Sequence, residues 1–312
     1  MEYILLIIGF VLLIKGADFF VDGASSIAGK LKVPSLIIGL TVVSIGTSMP
    51  EAAVSISASL SGSNGISLGN VIGSNIFNLL MVVGVSSIIL PIVTDRAILK
   101  RDMPVNIGIT AVLLVMLLDG KLDRLDAAIL LLMLVVYLFI LIRSALKNRE
   151  EGEETKVLTW FKSILFIVLG AAAIIGGGQL VVESAKKIAS SLGMSDTLIG
   201  LTVVALGTSL PELVTSVVAA KKGDSGIAMG NVVGSCIFNI LFILGMAGVI
   251  SPMVAGPEFF IDTGILIAVS LIMLLFAFTK RKTSRVEGAI CVLMYVAYTA
   301  YIIMRAYGIW IF

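Results

Sequence analysis

The sequence predicts an all-α polytopic membrane protein: ten transmembrane helices, arranged as two inverted five-helix repeats, with helices 2 and 7 broken. Three observations lead there. Hydrophobic residues make up 58% of the 312 and charged residues 13%, whereas a soluble domain carries about 25% charge; mean hydropathy is +1.12. Most of this surface must therefore face lipid. Apolar runs of the roughly 20 residues that cross a bilayer recur along the whole chain. The chain also repeats itself. "GLTVVSIGTSMPE" (39–51) aligns with "GLTVVALGTSLPE" (200–212), and "GNVIGSNIFN" (69–78) with "GNVVGSCIFN" (230–239), both at an offset of 161 residues. One offset with no gap between the blocks marks a duplicated transporter half.

Taken in order, the first span is expected at 3–28. It lacks the basic start and cleavage site of a signal peptide and reads as a retained helix. It carries Lys15, Asp18 and Asp22. The second span, 34–60, holds the first polar motif, and the third, 65–91, holds the second. Spans 103–119 and 125–146 complete the first unit, residues 1–147. The charged linker "NREEGEETK" (148–156) reads as solvated and places the boundary at 148–157. The second unit, 158–312, follows with spans at 160–185, 196–220, 226–251, 260–279 and 286–308. Glu183, in the sixth span, matches Asp22 under the common offset. It and the two aspartates either tune these helices or reach an interface, with Lys15 and Lys186 as nearby cations.

Five spans is an odd number, so the second unit must enter the membrane upside down relative to the first. Sixteen Lys and Arg fall in the loops after spans 1, 3, 5, 7 and 9, against five in the other loops and termini. Odd loops are therefore expected in the cytoplasm and both termini outside, in a multi-pass protein of the cell membrane.

Histidine is absent, which removes the usual proton shuttle and the base of a serine or cysteine dyad. No enzyme is expected. Cys236 and Cys291 lie in apolar runs and imply neither a disulfide framework nor a soft-metal site. The net charge of +2 gives no hint of nucleic acid, and no cofactor is implied. The expected partners are the bilayer and small inorganic cations, with one chain sufficient.

In "GTSMPE", Pro50 has no N–H, and its ring crowds the Gly46 carbonyl. Gly46 has no side chain to resist unwinding. A break is expected here, and broken backbone at this depth is tolerated only inside protein or along a cavity. The break concentrates oxygens: carbonyls such as that of Ser44, the hydroxyls of Thr47 and Ser48, and the carboxylate of Glu51. The second copy supplies the Ala205 carbonyl, Thr208, Ser209 and Glu212. A proline kink with a snorkelling glutamate would explain one copy, but neither the duplication nor the central depth, where a charge costs roughly 2.5–3.5 kcal/mol on insertion scales.

In the second motif, Asn70, Ser74 and Asn78 share one helical face, as do Asn231, Ser235 and Asn239. Gly69 and Gly73, like Gly230 and Gly234, permit close helix approach. Interhelical polar contact competes with site lining for Asn70 and Asn231. Ser74, Asn78, Ser235 and Asn239 are assigned to the site. Every group is a hard oxygen donor. Ca²⁺ takes 6–8 oxygens flexibly, while Mg²⁺ demands a stiff octahedron. Two carboxylates are neutralised by one Ca²⁺ or by two Na⁺. Ions that need the same two acids cannot ride together, which is the root of antiport.

These paired motifs resemble the alpha repeats of the Ca²⁺/cation antiporter superfamily, in its sodium/calcium exchanger branch and compact prokaryotic form. The resemblance implies four ion sites in a diamond between spans 2, 3, 7 and 8. Their ligands would be Ser44 and Ala205 (carbonyls), Thr47, Ser48, Glu51, Ser74, Asn78, Thr208, Ser209, Glu212, Ser235 and Asn239. It also implies that spans 1 and 6 slide across the other eight. Some relatives carry an aspartate at the position of Asn239, and proton-coupled relatives a glutamate in the "GN" motif. Neither is present here. The expectation is exchange of Ca²⁺ for Na⁺, with an H⁺- or K⁺-coupled exchanger as the alternative and a cation channel as a more distant one.

Overall fold

The computed structural model describes residues 1–147, 158–194 and 205–309. Among these, eight helices are each long and apolar enough to cross a membrane, and one bent pair makes a ninth. The expected linker at 148–157 and the first part of the seventh span, 196–204, lie outside the described residues.

The first helix, α1, covers Glu2–Leu31. Helices α2 (Ser35–Thr47) and α3 (Met49–Leu60) form the bent pair, with 50° between them. Next come α4 (Gly65–Ile89), α5 (Ile98–Asp119) and α6 (Arg124–Lys147). Beyond the linker, α7 covers Trp160–Ser191. A three-residue helix α8 (Ala205–Gly207) precedes α9 (Leu210–Lys221). Helices α10 (Ser225–Ile250), α11 (Pro257–Lys280) and α12 (Arg285–Ala306) complete the chain. Helices α5 and α7 overrun their expected ends furthest. Helix α5 begins at Ile98 rather than 103, because Asp102 takes two short bonds from Arg101 and the charges can stay helical. Helix α7 continues through Lys186 and Lys187, which a hydropathy window rejects although both are exposed.

Burial sorts the helices into centre and rim. In the most apolar windows of α4 and α10, 72% and 78% of residues are buried, against 22% in α6 and 11% in α12. Side chains such as Leu132, Val135, Phe139 and Leu293 point outward, as lipid-facing positions require.

Helices α1 and α7 pack backbone to backbone along a glycine seam. A Cβ on Gly16 would stand 2.9 Å from the Gly170 carbonyl, and one on Gly23 2.8 Å from the Ser163 carbonyl. From the other side, a Cβ on Gly177 would stand 2.8 Å from the Gly9 carbonyl. Small residues are what allow such approach within a membrane.

Two short antiparallel clasps join the units. Ile92–Val93 (β1) pairs with Lys282–Thr283 (β4). Lys121–Leu122 (β2) pairs with Met253–Val254 (β3). Shifting β1 and β2 by the repeat offset gives β3 and β4, so the two clasps are each other's counterparts.

Candidate ion-binding site

The break in the second span falls at Ser48, which leaves the helical region (φ −85°, ψ 8°). The helix then restarts with Pro50 and Glu51 in its first turn. Proline suits a first turn, where its missing N–H is not needed, and an acidic group there faces the positive helix end. Gly46, expected to help unwinding, stays helical. Its lack of a side chain serves packing instead, since a Cβ there would stand 2.7 Å from the Phe20 ring. In the second copy a turn at Thr208–Ser209 separates α8 from α9.

The two motifs cross-bond. Ser48 Oγ donates to Glu212 Oε1 at 2.8 Å and lies 2.9 Å from Ser235 Oγ. Reciprocally, Ser209 Oγ donates to Glu51 Oε1 at 2.8 Å and lies 3.1 Å from Ser74 Oγ. Each glutamate is thus held by the serine of the other repeat. Thr47 Oγ1 donates to Asn231 Oδ1 at 2.9 Å. Glu51, Glu212, Ser48, Ser209, Ser235, Asn78 and Asn239 are all 0% exposed.

No Lys or Arg pairs with either glutamate among the described residues, and one oxygen of each, Oε2, has no hydrogen-bond partner. Both amide atoms of Asn78, Oδ1 of Asn239 and Oγ1 of Thr208 are likewise buried and unpaired. Buried polar groups are nearly always satisfied, and uncompensated buried carboxylates are costly. The unpaired oxygens beside the two acids are hard donors of the kind a cation would fit.

The Ser44 carbonyl accepts from Ser48 N at 3.0 Å, so the break leaves it occupied in this conformation. Ala205 opens α8. Asn70 and Asn231 make the same pair of interhelical bonds. Asn70 Nδ2 donates to the Glu51 carbonyl and Ser55 Oγ, and Asn231 Nδ2 to the Glu212 carbonyl and Ser216 Oγ. Each ties the restarted helix to its neighbour one turn beyond the glutamate. Asp18 and Asp22 lie away from the centre and meet Lys222, whose Nζ is 2.7 Å from Asp22 Oδ1 and donates to the Asp18 carbonyl at 2.9 Å.

Several features escaped the motif pattern. Asn78 and Asn239 each open a π-helical stretch, Asn78–Val82 and Asn239–Leu244, a feature frequent at functional sites. Asn75 sits beside Asn239. The α1–α7 seam was legible in principle, because Gly9, Gly16 and Gly23 recur every seven residues, as do Gly170 and Gly177.

A cavity of about 410 Å³ reaches Asn70, Ser74 and Thr208 from one end of the bundle, past Phe259, Tyr298 and the Asp262–Arg305 pair. At the opposite end α10 packs tightly on α2, beside a second cavity of about 720 Å³ lined by Asp22, Ser35, Lys222 and Asp224. Cβ atoms on Gly230 and Gly234 would stand 2.8 Å from the Leu36 and Leu40 carbonyls.

Among the described residues, the bundle encloses two acids without a cationic partner and several unpaired oxygens, a donor set suited to a small cation. Comparison with known proteins makes this specific. The family model described as sodium/calcium exchanger protein matches residues 1–143 and 162–304. The chain is 38% identical over 311 residues to a putative antiporter, CaxA, of Alkalimonas amylolytica, covering 95% of this chain and 96% of that protein. It is 38% identical over 339 residues to the sodium/calcium exchanger MaX1 of Methanosarcina acetivorans, covering 95% and 97%. The solved sodium-calcium exchanger NCX_Mj superposes with a TM-score of 0.85 at 34% identity, over 96% of this chain and 97% of that one. The chain belongs to the sodium/calcium exchanger protein family and is a multi-pass membrane transporter in its compact prokaryotic form.

Proposed function

We propose that this protein is a secondary antiporter that exchanges Ca²⁺ for Na⁺ by alternating access. The carrying observation is the pair of fully buried glutamates, each held by the other repeat's serine and each with one unpaired oxygen. Glu51 and Glu212 are the shared charges. Thr47, Ser48, Ser74, Asn78, Thr208, Ser209, Ser235 and Asn239 complete the ligand set, together with the carbonyls of Ser44 and Ala205. One Ca²⁺ balances the two acids, and so do two Na⁺, so the ions take turns.

The ten-helix count, the inverted repeats and the units 1–147 and 158–312 belong to the same proposal. The clasps support the inversion. β1 and β4 must lie on one side of the membrane, yet β4 is the repeat counterpart of β2, which span four carries to the other side from β1. The excess of Lys and Arg in odd loops assigns the β1–β4 side to the cytoplasm and both termini to the outside of the cell membrane. On that assignment the cavity that reaches Ser74 and Thr208 faces outward, and the second cavity, of about 720 Å³, lies at the cytoplasmic end, where α10 packs on α2. Lys222 and Asp224 line that second cavity. Asp224 accepts from Ser25 of α1 at 3.0 Å and from Ser35 of α2 at 2.7 Å. The α1–α7 pair, fused along its glycines, is the element that slides, and a single chain suffices.

Uptake of radiolabelled Ca²⁺ into proteoliposomes tests this. Uptake is expected only with an outward Na⁺ gradient, and it should be insensitive to a pH gradient of the same size. Uptake driven by protons or K⁺ without Na⁺, or Ca²⁺ current with no counter-ion, would overturn it.

A further inference from the structure

The two repeats differ at one buried position beside the ion centre. Under the common offset Asn75 is the counterpart of Cys236, and the two meet where α4 and α10 cross. Asn75 Nδ2 donates to the Cys236 carbonyl at 3.0 Å, and Cys236 Sγ lies 3.8 Å from the Asn75 carbonyl. The contact is reciprocal, but only asparagine has a second polar atom to offer. Asn75 Oδ1 accepts from Asn239 Nδ2 at 3.0 Å.

These bonds fix which way the amides face. Only an N–H can donate to the Cys236 carbonyl, so Asn75 must turn its Nδ2 there and its Oδ1 toward Asn239. Only the nitrogen of Asn239 can meet that oxygen, so Asn239 must turn its own Oδ1 away. That oxygen is buried and unpaired. It lies one helical turn beyond Ser235, which is 3.5 Å from Glu212 Oε1, on the same helix face. The counterpart, Asn78, stands one turn beyond Ser74 and has no such neighbour. Neither of its amide atoms is bonded among the described residues, and its Asn75-equivalent is Cys236, which has no amide to set its orientation.

We infer that Asn75 is a positioning residue that locks the amide of Asn239 with its oxygen presented to the ions, so that the two ends of the centre are not equivalent. The Asn239 end is a preorganised neutral donor. The Asn78 end must orient its amide as each ion arrives. This rests on the reading above, in which Asn239 is a ligand. Na⁺ is the more sensitive ion. Two acids suffice for one Ca²⁺, whereas several monovalent ions spread over the centre draw more on neutral oxygens.

The experiment is equilibrium binding of radiolabelled Ca²⁺ to the purified full-length protein, displaced by NaCl. Asn75→Cys, which installs the residue the other repeat already carries, is expected to raise the Na⁺ concentration for half-displacement about three- to tenfold, the scale of one hydrogen bond. The shift in the Ca²⁺ dissociation constant should be smaller. The double exchange Asn75→Cys/Cys236→Asn moves the lock to Asn78 and should recover most of the loss. Cys236→Ala should leave displacement unchanged. The inference is overturned if Asn75→Cys binds Ca²⁺ but is displaced normally, if the double exchange is no better than the single, or if Cys236→Ala reproduces the defect. Should Asn75→Cys fail to fold, Asn75→Ser, which keeps one hydroxyl toward the Cys236 carbonyl but frees Asn239, must show the same Na⁺ shift. Ca²⁺ binding that survives both Glu51→Gln and Glu212→Gln would instead sink the ligand assignment, independently of Asn75.

Discussion

Gly73 and Gly234 hold the same place in two copies of one motif, and their surroundings differ. The described residues place nothing within 4 Å of a Cβ on Gly73, whereas one on Gly234 would stand 2.7 Å from Ser44 Oγ and 2.8 Å from the Leu40 carbonyl. Gly69 and Gly230 differ in the same sense. The first meets only the Phe259 ring at 3.7 Å, while the second is pressed on the backbone of α2. Among the described residues, the duplicated motif is thus tightly packed in one copy and less so in the other. Under the alternating access proposed above, the two faces would trade roles, and near-identical sequence in two environments would reflect one of two conformations.

The comparison is least forgiving at the carboxylates, where the halves behave alike. Glu51→Gln and Glu212→Gln are each expected to abolish Ca²⁺ uptake while the protein still folds, since the amide keeps the shape and removes the charge. Fluorescence-detected size exclusion alongside flux checks both. A large residual uptake in one variant would mean that the acids are not shared equally.

Next come the glycines. Gly234→Val inserts a side chain against backbone and is expected to lower stability by about 1–3 kcal/mol, the usual cost of overpacking. Gly73→Val should cost far less in this conformation. Thermal melting in detergent compares them, and equal losses would remove the asymmetry. A smaller effect falls on Asp224, which also caps α10 through Ile227 N at 2.9 Å. Asp224→Ala should cost about 1 kcal/mol, the typical value of an N-cap, whereas its counterpart Ser63, which makes no side-chain cap bond, should tolerate the same change. The smallest expected effect is at Lys222, whose side chain is 30% exposed. Partly exposed ion pairs contribute roughly 0–1 kcal/mol. Lys222→Met should therefore raise cytoplasmic accessibility only about two- to fivefold, read by labelling a single cysteine placed at Ser225.

How much of this was legible in the sequence depends on what each feature rests on. The spans and the repeat rest on hydropathy and identity, which a linear sequence carries directly. The break at "GTSMPE" followed from proline chemistry, but the part assigned to Gly46 did not. That glycine admits Phe20 from another helix, a contact that local pattern cannot announce. The clustering of Glu51, Ser74, Ser209 and their counterparts was inferable from the duplication. The exchange of partners, serine of one repeat to glutamate of the other, was not, because it depends on how the halves interlock. The clasps at Ile92–Val93 and Lys121–Leu122 are two residues each, too short for any alternation to show. Asn75 carries no repeat signal, because its counterpart is a cysteine.

The most direct test of a shared pair of acids is competition at equilibrium. Radiolabelled Ca²⁺ binding to the purified protein is measured at rising fixed Na⁺ concentrations. If both ions require Glu51 and Glu212, Na⁺ will raise the apparent dissociation constant for Ca²⁺, more steeply than in first order, and saturating Ca²⁺ will restore full occupancy. Occupancy that falls with Na⁺ and cannot be restored, or Ca²⁺ binding indifferent to Na⁺, would contradict it.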